Sequence, residues 1–178
     1  MKKIKVKKNK IGIFGGTFDP PHAGHLYISK TALKKLDLKK IFWVVTKKNP
    51  LKHKPYLNIK ERITLSKKIT KKEKKIFVKY FDNKIKSINT FNLLNHIKKK
   101  NKKVDLFFLI GADNLAKFHK WHNWKKITEL AKIAIFARKN YSMNSLNPII
   151  LKKLNKNDFI YIKSKKINIS STLIRKFW

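Results

Sequence analysis

Short apolar runs recur along the chain, and longer segments with helical spacing of apolar and polar residues lie between most of them. Continuous runs of about four to eight apolar or β-branched residues are typical of strands that are buried on both faces. The runs predict strands over residues 10–14, 41–46, 76–80, 104–110, 132–137 and 159–163. The longer segments predict helices over residues 24–36, 58–69 and 90–100, a helical stretch after Gly111 and a last helix from Ser171.

Strands that alternate with helices at this spacing favour an α/β fold, a three-layer sandwich with helices on both faces of a mostly parallel sheet. The chain shows no internal repeat and no linker, so residues 1–178 are expected to form a single domain. Ligands of such sheets bind beyond the carboxyl ends of the strands. The glycine, proline and polar segments that follow the predicted strands can therefore converge on one crevice.

The composition limits the class of protein. A chain of 178 residues with 42% hydrophobic residues can bury one sizeable core. Its longest apolar stretches, residues 105–111 and 131–137, are far shorter than the roughly 20 residues that span a bilayer, so no membrane partner is expected. The basic start runs into glycines and not into the apolar core of a signal peptide, and cysteine is absent. We therefore expect a cytoplasmic protein without disulfides or thiolate metal sites.

The charge is extreme, because 46 Lys and Arg face 9 Asp and Glu and the net charge is +37. Such a field attracts any polyanion, so nucleic-acid binding is one hypothesis. Arginine, however, is limited to Arg62, Arg138 and Arg175, whereas nucleic-acid readers usually grip phosphates and bases with Arg on one face. The lysines are spread along the chain, which favours compositional drift on tolerant surface positions. We expect no specific nucleic-acid partner, and faster capture of small anionic substrates as a secondary effect.

The segment GGTFDPPHAGH, from Gly15 to His25, follows the first predicted strand. Two consecutive glycines in a turn after a strand let backbone N–H groups approach a phosphate closely, and the N-terminus of the next helix adds its partial positive charge. The segment has neither the lysine of a P-loop nor the spaced glycines of the dinucleotide fingerprint. It predicts a phosphate site of another kind.

His22 and His25 are three positions apart near the start of the predicted helix, close enough to face each other across a turn. One interpretation is a zinc site, although a chain without Cys and with few carboxylates offers few further ligands. A second is that the rings merely cap the helix or pack against it. The interpretation that we favour is that their N–H donors bind phosphate oxygens and stabilise charge that develops during group transfer.

The same segment resembles the signature of the nucleotidyltransferase superfamily, in which a His-x-Gly-His or related motif follows the first strand. The resemblance implies a Rossmann-like α/β sandwich that binds ATP at this turn, and it implies that His22 and His25 stabilise the transferring α-phosphate. The residues that the resemblance places around the phosphates are Gly15, Gly16, Thr17, Phe18 and Gly24.

A second motif, Ile-Ser-Ser-Thr-Leu-Ile-Arg, occupies residues 169–175. Hydroxyls at a helix start, here those of Ser170, Ser171 and Thr172, suit an anion, and Arg175 one turn further on adds a phosphate-binding fork. By itself the motif is equally typical of a capping serine followed by a surface arginine. It resembles the superfamily's second signature, which holds the β- and γ-phosphates. The resemblance therefore covers most of the chain and adds Arg175 to the expected catalytic residues.

Three further segments indicate the acceptor of the transferred group. The first follows the clearest buried strand and contains Gly111, Asp113, Trp121, His122 and Trp124. A carboxylate there can accept hydrogen bonds from ribose hydroxyls, and a tryptophan offers a flat face to a planar ring, although two tryptophans three apart on a helix are also typical of core packing. The segment is similar to that of nicotinate mononucleotide adenylyltransferases, in which the first tryptophan of Trp-x-x-Trp frames the nicotinate ring. His122 stands where that family often has an aromatic residue.

The second segment is a basic loop after the second predicted strand, where Lys52 and His53 are the candidates for the phosphate contact that the resembled family makes. Arg62 on the next helix could hold this loop or an acceptor group. The third segment runs from Ser87 to Thr90 and resembles the family's Thr-x-x-Thr stretch, which meets the nicotinate carboxylate, with serine in the first position. As a bare sequence it would indicate only an ordinary helix cap.

The resemblance implies transfer of AMP from ATP to nicotinate mononucleotide in NAD biosynthesis, with release of pyrophosphate. Mg²⁺ is expected to arrive with ATP, held mostly by phosphate and water, because few carboxylates are available. Phosphopantetheine and nicotinamide mononucleotide are the alternative acceptors. A basic nucleic-acid-binding protein is the alternative outside this class, and the sequence leaves the oligomeric state open.

Overall fold

The computed structural model describes residues 9–50, 53–115, 117–137, 155, 157–163 and 169–177. Its strands are β1 (Asn9–Gly16), β2 (Lys40–Val45), β3 (Ile76–Lys79), β4 (Val104–Gly111), β5 (Lys132–Phe136) and β6 (Phe159–Ile162). Its helices are α1 (Ala23–Lys35), α2 (Ile59–Thr70), α3 (Asp82–Ile85), α4 (Thr90–Lys100), α5 (Ala112–Leu115), α6 (Trp124–Leu130) and α7 (Ser171–Arg175), with a 3₁₀ turn at Phe118–Lys120.

The described strands form one sheet in the order β3-β2-β1-β4-β5-β6, and every pairing between neighbours in it is parallel. Each strand lies within two residues of its predicted bounds, because runs of apolar and β-branched residues suit strands that are covered on both faces. The predicted α/β fold with a parallel sheet is confirmed.

Helices cover both faces of the sheet. Successive strand residues point to opposite faces, so Ile13 and Phe108 join the helices α4, α5 and α6 in one core. Trp43 and Leu109 pack on the other face with α1 and α2. Two cores separated by one sheet make the three layers that the alternation of elements predicted.

The glycines of the first motif do not form the turn that the sequence predicted. Gly15 and Gly16 are the last residues of β1, where they pair with Val44 and Val45 of β2. The irregular turn begins at Thr17. Parallel pairing with a neighbouring strand therefore extends β1 by two residues beyond its apolar run.

The stretch after Gly111 is not one helix. It is divided into α5, the 3₁₀ turn and α6, and Asn123 immediately before α6 has a left-handed backbone (φ 52°). Trp121 and Trp124 therefore do not share a helix, contrary to the prediction. The short helix α3 was not predicted either, and it precedes the Ser87 segment.

The sheet places the candidate site. The order of the strands reverses at β1 and β4, and ligands of open α/β sheets bind beyond the carboxyl ends of the strands at such a point. Gly16, Val45 and Gly111 end three neighbouring strands there. Within the described ranges, the model contains no helix with the length and apolar character needed to cross a membrane.

Candidate active site

An aromatic stack holds the turn after β1 against the core. Phe18 has a left-handed backbone (φ 49°), and its ring lies parallel to that of Trp43 with the centroids 4.8 Å apart. The buried indole N–H of Trp43 donates to Ser29 Oγ at 2.7 Å, and the Ser29 hydroxyl donates to the carbonyl of His25 at 3.0 Å. The core therefore fixes both the turn and the beginning of α1.

His22 and His25 cap the start of α1 reciprocally. His22 Nδ1 accepts the N–H of Gly24 at 3.1 Å, and His25 Nδ1 accepts the N–H of His22 at 3.2 Å. A ring nitrogen that accepts an N–H carries no proton, so the neutral rings carry theirs on Nε2. The ring centroids are 3.9 Å apart. Both histidines therefore cap the helix, and the same cap leaves each Nε2 atom as an N–H donor.

The glycines of the first motif differ in how much space the fold leaves for a side chain at each position. A Cβ on Gly24 would lie 2.8 Å from two atoms of the His22 ring and 3.2 Å from Ile169, so a side chain there would displace the histidine. A Cβ on Gly15 or Gly16 would come no closer than 3.6 Å to any neighbour, and neither residue has a positive φ. The fold itself therefore leaves room for a methyl group at these two positions.

The second motif docks on the first. Ser170 caps α7 by accepting the N–H of Leu173 at 3.1 Å, which confirms the capping interpretation for this serine. Ser171 Oγ donates to the carbonyl of Pro20 at 2.9 Å. Arg175 Nη1 donates to the carbonyl of Asp19 and lies 3.7 Å from its carboxylate. The two motifs, far apart in sequence, thus form one surface beside the start of α1.

Arg175 has further partners that limit its freedom. Its Nη2 lies 3.4 Å from Thr172 Oγ1, and the guanidinium lies over the ring of Tyr56, 4.8 Å from the centroid. The planar cation therefore contacts both a carboxylate and an aromatic face, which suits Arg better than Lys.

A cleft of about 390 Å³ opens at the carboxyl ends of β1 and β2, a size typical of small-ligand sites. Six of the predicted site residues line it, namely Gly15, Gly16, Ser87, Thr90, Trp121 and His122. The other lining residues are Val44, Thr46, Lys48, Asn49, Pro50, Asp82, Ile85, Ile88, Asn89, Leu93, Phe108 and Lys120. The cleft therefore joins the first motif to all three segments that were predicted to bind the acceptor, although the basic loop contributes other residues than the predicted Lys52 and His53.

Trp121 forms an aromatic wall of this cleft. Its ring packs edge-on against Phe108, with centroids 5.9 Å apart, and lies tilted against Phe118 with centroids 5.4 Å apart. The partly exposed ring can thus combine core packing with a face for a ligand. His122 beside it is exposed, and its Nε2 lies 3.0 Å from Asn123 Nδ2.

Ser87 offers a hydroxyl proton to the cleft. Its Oγ accepts the backbone N–H of Asn89 at 3.1 Å and the side-chain N–H of Asn92 at 2.9 Å. A hydroxyl has two lone pairs and one proton. Because both lone pairs are engaged, Ser87 is left with its proton to donate, which suits an anionic or carbonyl acceptor.

Arg62 binds the main chain around the site. The sequence had left two roles open for this residue, binding the loop or binding an acceptor group. The guanidinium is buried, and its Nη1 donates to the carbonyls of Thr17 and Thr46 at 2.7 Å each. Nη2 donates to the carbonyl of Lys47 and Nε to that of Leu57, both at 3.0 Å. Its donors are thus engaged by backbone carbonyls of three different segments.

Asp82 and Asp19 are buried carboxylates that the predicted site did not include. Burial lowers the pKa of Arg62 below its ordinary value, and the negative charges of Asp19 and Asp82 oppose part of this shift. Asp19 could have been suspected from its place inside the first motif. Asp82 is the first residue of α3 and belongs to no motif, so the sequence carries no comparable signal for it.

Several other predicted residues do not line the cleft. Asp113 lies in α5 and Gly111 at the end of β4, and neither belongs to the cleft lining. His53 is exposed and also absent from the lining, where the basic loop contributes Lys48 instead. Lys52 lies outside the described residues.

No cluster of three or more His, Cys, Asp or Glu side chains that could hold a metal ion is found in the described part of the chain. Within that part, the His22 and His25 pair therefore has no third ligand of these types, and the geometry gives no support to the zinc interpretation.

The sheet order, the histidine pair at the start of α1 and the docked arginine agree with the α/β nucleotidyltransferase class that the two motifs resemble. The model of the cytidylyltransferase-like family matches residues 13–177. A curated relative from Pelagibacter ubique (strain HTCC1062), named probable nicotinate-nucleotide adenylyltransferase, is 46% identical over 97% of this chain and 96% of its own length. A relative from Clostridium tetani (strain Massachusetts / E88) with the same name is 36% identical over 94% of this chain and 86% of its own length.

The chain therefore belongs to the cytidylyltransferase-like family and, within it, to the nicotinate-nucleotide adenylyltransferases. A solved structure, the Plasmodium falciparum nicotinic acid mononucleotide adenylyltransferase complexed with NaAD, resembles it with a TM-score of 0.77. That alignment covers 95% of this chain and 83% of the other at 23% identity, so it bears on the fold alone.

Proposed function

We propose that this chain transfers AMP from ATP to nicotinate mononucleotide, yielding nicotinate adenine dinucleotide and pyrophosphate in NAD biosynthesis. A 5′-phosphate oxygen of the acceptor attacks the α-phosphorus of ATP, and the bond from that phosphorus to the bridging oxygen of the β-phosphate breaks. The acceptor phosphate, with a second pKa of about 6, is largely ionised near neutral pH, so no general base is needed. The observation that carries the proposal is the single cleft that joins Gly15 and Gly16 to Ser87, Thr90 and Trp121.

On the ATP side, His22 and His25 stabilise negative charge at the α- and β-phosphates by hydrogen bonding. Their Nδ1 atoms are occupied by backbone N–H groups, which supports a donor role for each Nε2. Donors fixed before the reaction stabilise developing charge more than mobile ones, because they need no reorganisation. The backbone from Gly15 to Phe18, together with Gly24, approaches the same phosphates.

The departing pyrophosphate is held by Ser170, Ser171, Thr172 and Arg175. The docking of Ser171 and Arg175 on the turn after β1 supports this role, because it places the second motif beside the histidines. Catalysis then consists of positioning and charge neutralisation.

On the acceptor side, Trp121 faces the nicotinate ring, and Ser87 and Thr90 meet its carboxylate. The hydroxyl of Ser87 has a proton to give and both lone pairs filled, which favours an ionised carboxylate over the N–H₂ face of a carboxamide. His122 lines the same cleft. The contacts of Lys52 and His53 with phosphate, and of Gly111 and Asp113 with ATP, stay predictions from the sequence.

Mg²⁺ enters as part of the substrate, MgATP. The described side chains offer no cluster of acidic or imidazole ligands for a resident ion, and Mg²⁺ commonly retains water and binds substrate phosphates. We also propose that residues 1–178 form one nucleotidyltransferase domain, since the described strands share one sheet. The cytoplasmic location and the absence of a specific nucleic-acid partner stay predictions.

The test is pyrophosphate release from MgATP with nicotinate mononucleotide, nicotinamide mononucleotide or phosphopantetheine offered separately. We expect release mainly with nicotinate mononucleotide, and a loss of about 10²-fold or more in kcat for His25→Ala. His96→Ala, which removes a histidine from α4 outside the cleft, is the matched control and should keep its activity.

Release mainly with another acceptor would overturn the substrate and keep the reaction class. Absence of release with all three acceptors would contradict the proposal. Steeply salt-dependent binding of RNA or DNA in that case would favour the nucleic-acid alternative.

A further inference from the structure

The carboxylate of Asp82 is 7% exposed, in a chain that has only 9 acidic residues. Its Oδ2 accepts the hydroxyl of Thr46 at 2.8 Å and the backbone N–H of Lys47 at 2.7 Å. A carboxylate is costly to bury unless it is hydrogen-bonded, and bonds to an ionised acceptor are short and strong. Asp82 is therefore firmly linked to the two residues that follow β2.

Arg62 binds the same two residues through their carbonyl groups. While Asp82 accepts their donors, Arg62 donates to the carbonyls of Thr46 and Lys47. The same Nη1 atom that bonds Thr46 also bonds the carbonyl of Thr17 at 2.7 Å. The end of β2 is thus rigidly joined to the turn that approaches ATP.

Asp82 also belongs to the wall that faces the acceptor. Its carbonyl accepts the N–H of Ser87 at 3.2 Å, and both residues line the cleft. A continuous path of direct hydrogen bonds therefore runs from Ser87 through Asp82, Thr46 and Arg62 to Thr17. The path connects the acceptor wall to the ATP-binding turn.

In-line transfer requires the attacking oxygen to lie about 3–3.5 Å from phosphorus, and an error of about 1 Å can cost about 10²-fold in rate. In the proposed function, ATP binds at the turn after β1 and the acceptor binds at the wall that contains Ser87, so a link between these two parts of the site sets the approach of the reactants. We propose that Asp82 is a positioning residue that fixes the acceptor wall relative to the ATP-binding turn. The inference rests on the proposed function and adds a residue that touches neither reacting atom.

The test compares Asp82→Ala, Asp82→Asn and Thr46→Val, with Asp158→Ala as the control for loss of a carboxylate near β6 at the far edge of the sheet. Asp82→Ala should lower kcat by about 10²-fold while the Kd of ATP, measured without acceptor, changes by less than about threefold. Asp82→Asn should recover about tenfold of that loss, because its amide oxygen can still accept both donors. Thr46→Val should lower kcat by about five- to tenfold alone and add little to Asp82→Ala, since the two groups share one bond.

Near-wild-type kcat in both Asp82→Ala and Thr46→Val would overturn the inference. A loss of kcat that is accompanied by a matching rise in the Kd of ATP or a matching fall in the melting temperature would also overturn it, because a merely structural residue would produce that result. Should Asp82→Ala fail to fold, Asp82→Asn and Thr46→Val carry the same comparison. All variants are assayed with the acceptor that the wild-type protein uses best. If that acceptor is not nicotinate mononucleotide, the proposed function is contradicted, but the comparison of the Asp82 variants stays valid.

Discussion

Arg175 Nη1 lies 3.7 Å from Asp19 Oδ2, so the two motifs of this chain meet through one ion pair. The two oxygens of the Asp19 carboxylate also accept the backbone N–H groups of Tyr56 at 2.9 Å and Leu57 at 3.0 Å. Asp19 is buried and therefore combines two tasks. It orients the arginine of the second motif, and it ties down the chain just before α2.

The first prediction concerns Asp19→Asn. The new amide N–H₂ cannot accept a hydrogen bond, so one backbone N–H loses its partner and the attraction for Arg175 weakens. We expect the free energy of unfolding to fall by about 1–3 kcal/mol and kcat to fall by about tenfold or more. Urea unfolding and pyrophosphate release measure the two effects. Asp158→Asn, which changes a carboxylate near β6, should leave kcat unchanged, and an equal loss in both variants would contradict the role of Asp19.

The second prediction compares two glycines of the same strand. A Cβ on Gly12 would lie 2.9 Å from atoms of Ile41 and Leu38, whereas a Cβ on Gly15 would come no closer than 3.6 Å to Phe108. Gly12→Ala should therefore lower the free energy of unfolding by about 1–3 kcal/mol through overpacking and keep the KM for ATP. Gly15→Ala should fold normally and raise that KM by about tenfold, because the methyl group reduces the space for ATP.

Thermal unfolding and initial rates over a range of ATP concentrations separate these outcomes. An unchanged KM in Gly15→Ala would show that this glycine leaves no space that ATP uses. Reduced stability in Gly15→Ala with unchanged KM would assign the residue to the fold.

The third prediction concerns the choice between nicotinate and nicotinamide. In Asn92→Asp the new carboxylate accepts the hydroxyl proton of Ser87, which frees a lone pair toward the cleft and adds a negative charge beside it. We expect the ratio of kcat/KM for nicotinate mononucleotide to that for nicotinamide mononucleotide to fall by about tenfold or more. Asn83→Asp adds the same charge on α3 and should leave the ratio nearly unchanged. The same ratio in wild type and Asn92→Asp would exclude this tuning of Ser87.

The fourth prediction concerns the buried bond between Trp43 and Ser29. Ser29→Ala leaves the indole N–H of Trp43 without its acceptor in the core, and it should lower the free energy of unfolding by about 1–3 kcal/mol. Ser66 is an equally buried serine whose Oγ has no hydrogen-bond partner in the described part of the chain. Ser66→Ala should therefore cost much less. Urea unfolding decides the matter, and equal losses in the two variants would argue against a specific role for the indole bond.

The elements that were predicted well are those with a local cause. The runs that became β4 and β5 are apolar throughout because both of their faces are covered, and this pattern is visible without any knowledge of the partner strands. The start of α1 was also predictable, since the histidine caps lie within one turn of each other. The end of β1 was misplaced because Gly15 and Gly16 become strand residues only through pairing with β2.

The site was predictable only where a motif marks it. The residues of the two motifs and the segment with Trp121 were found from the sequence. The structure shows that Trp121 and Gly15 line the same cleft. Asp82 was not predicted as a site residue, and the role of Arg62 was left open between the loop and an acceptor group, because most of their partners are backbone groups. A backbone carbonyl or N–H is present at nearly every position and therefore leaves no mark in the sequence.

The sequence by itself determined the order of strands and helices, the parallel α/β class and the residues of the two phosphate motifs, because apolar spacing and local capping depend on near neighbours. Only the tertiary structure decided that Asp19 meets Arg175, and that Asp82 and Arg62 fix the turn after β2. These contacts join segments that are remote in the chain. They depend on how the sheet brings the ends of its strands together, and no local pattern of residues shows which remote segments will meet.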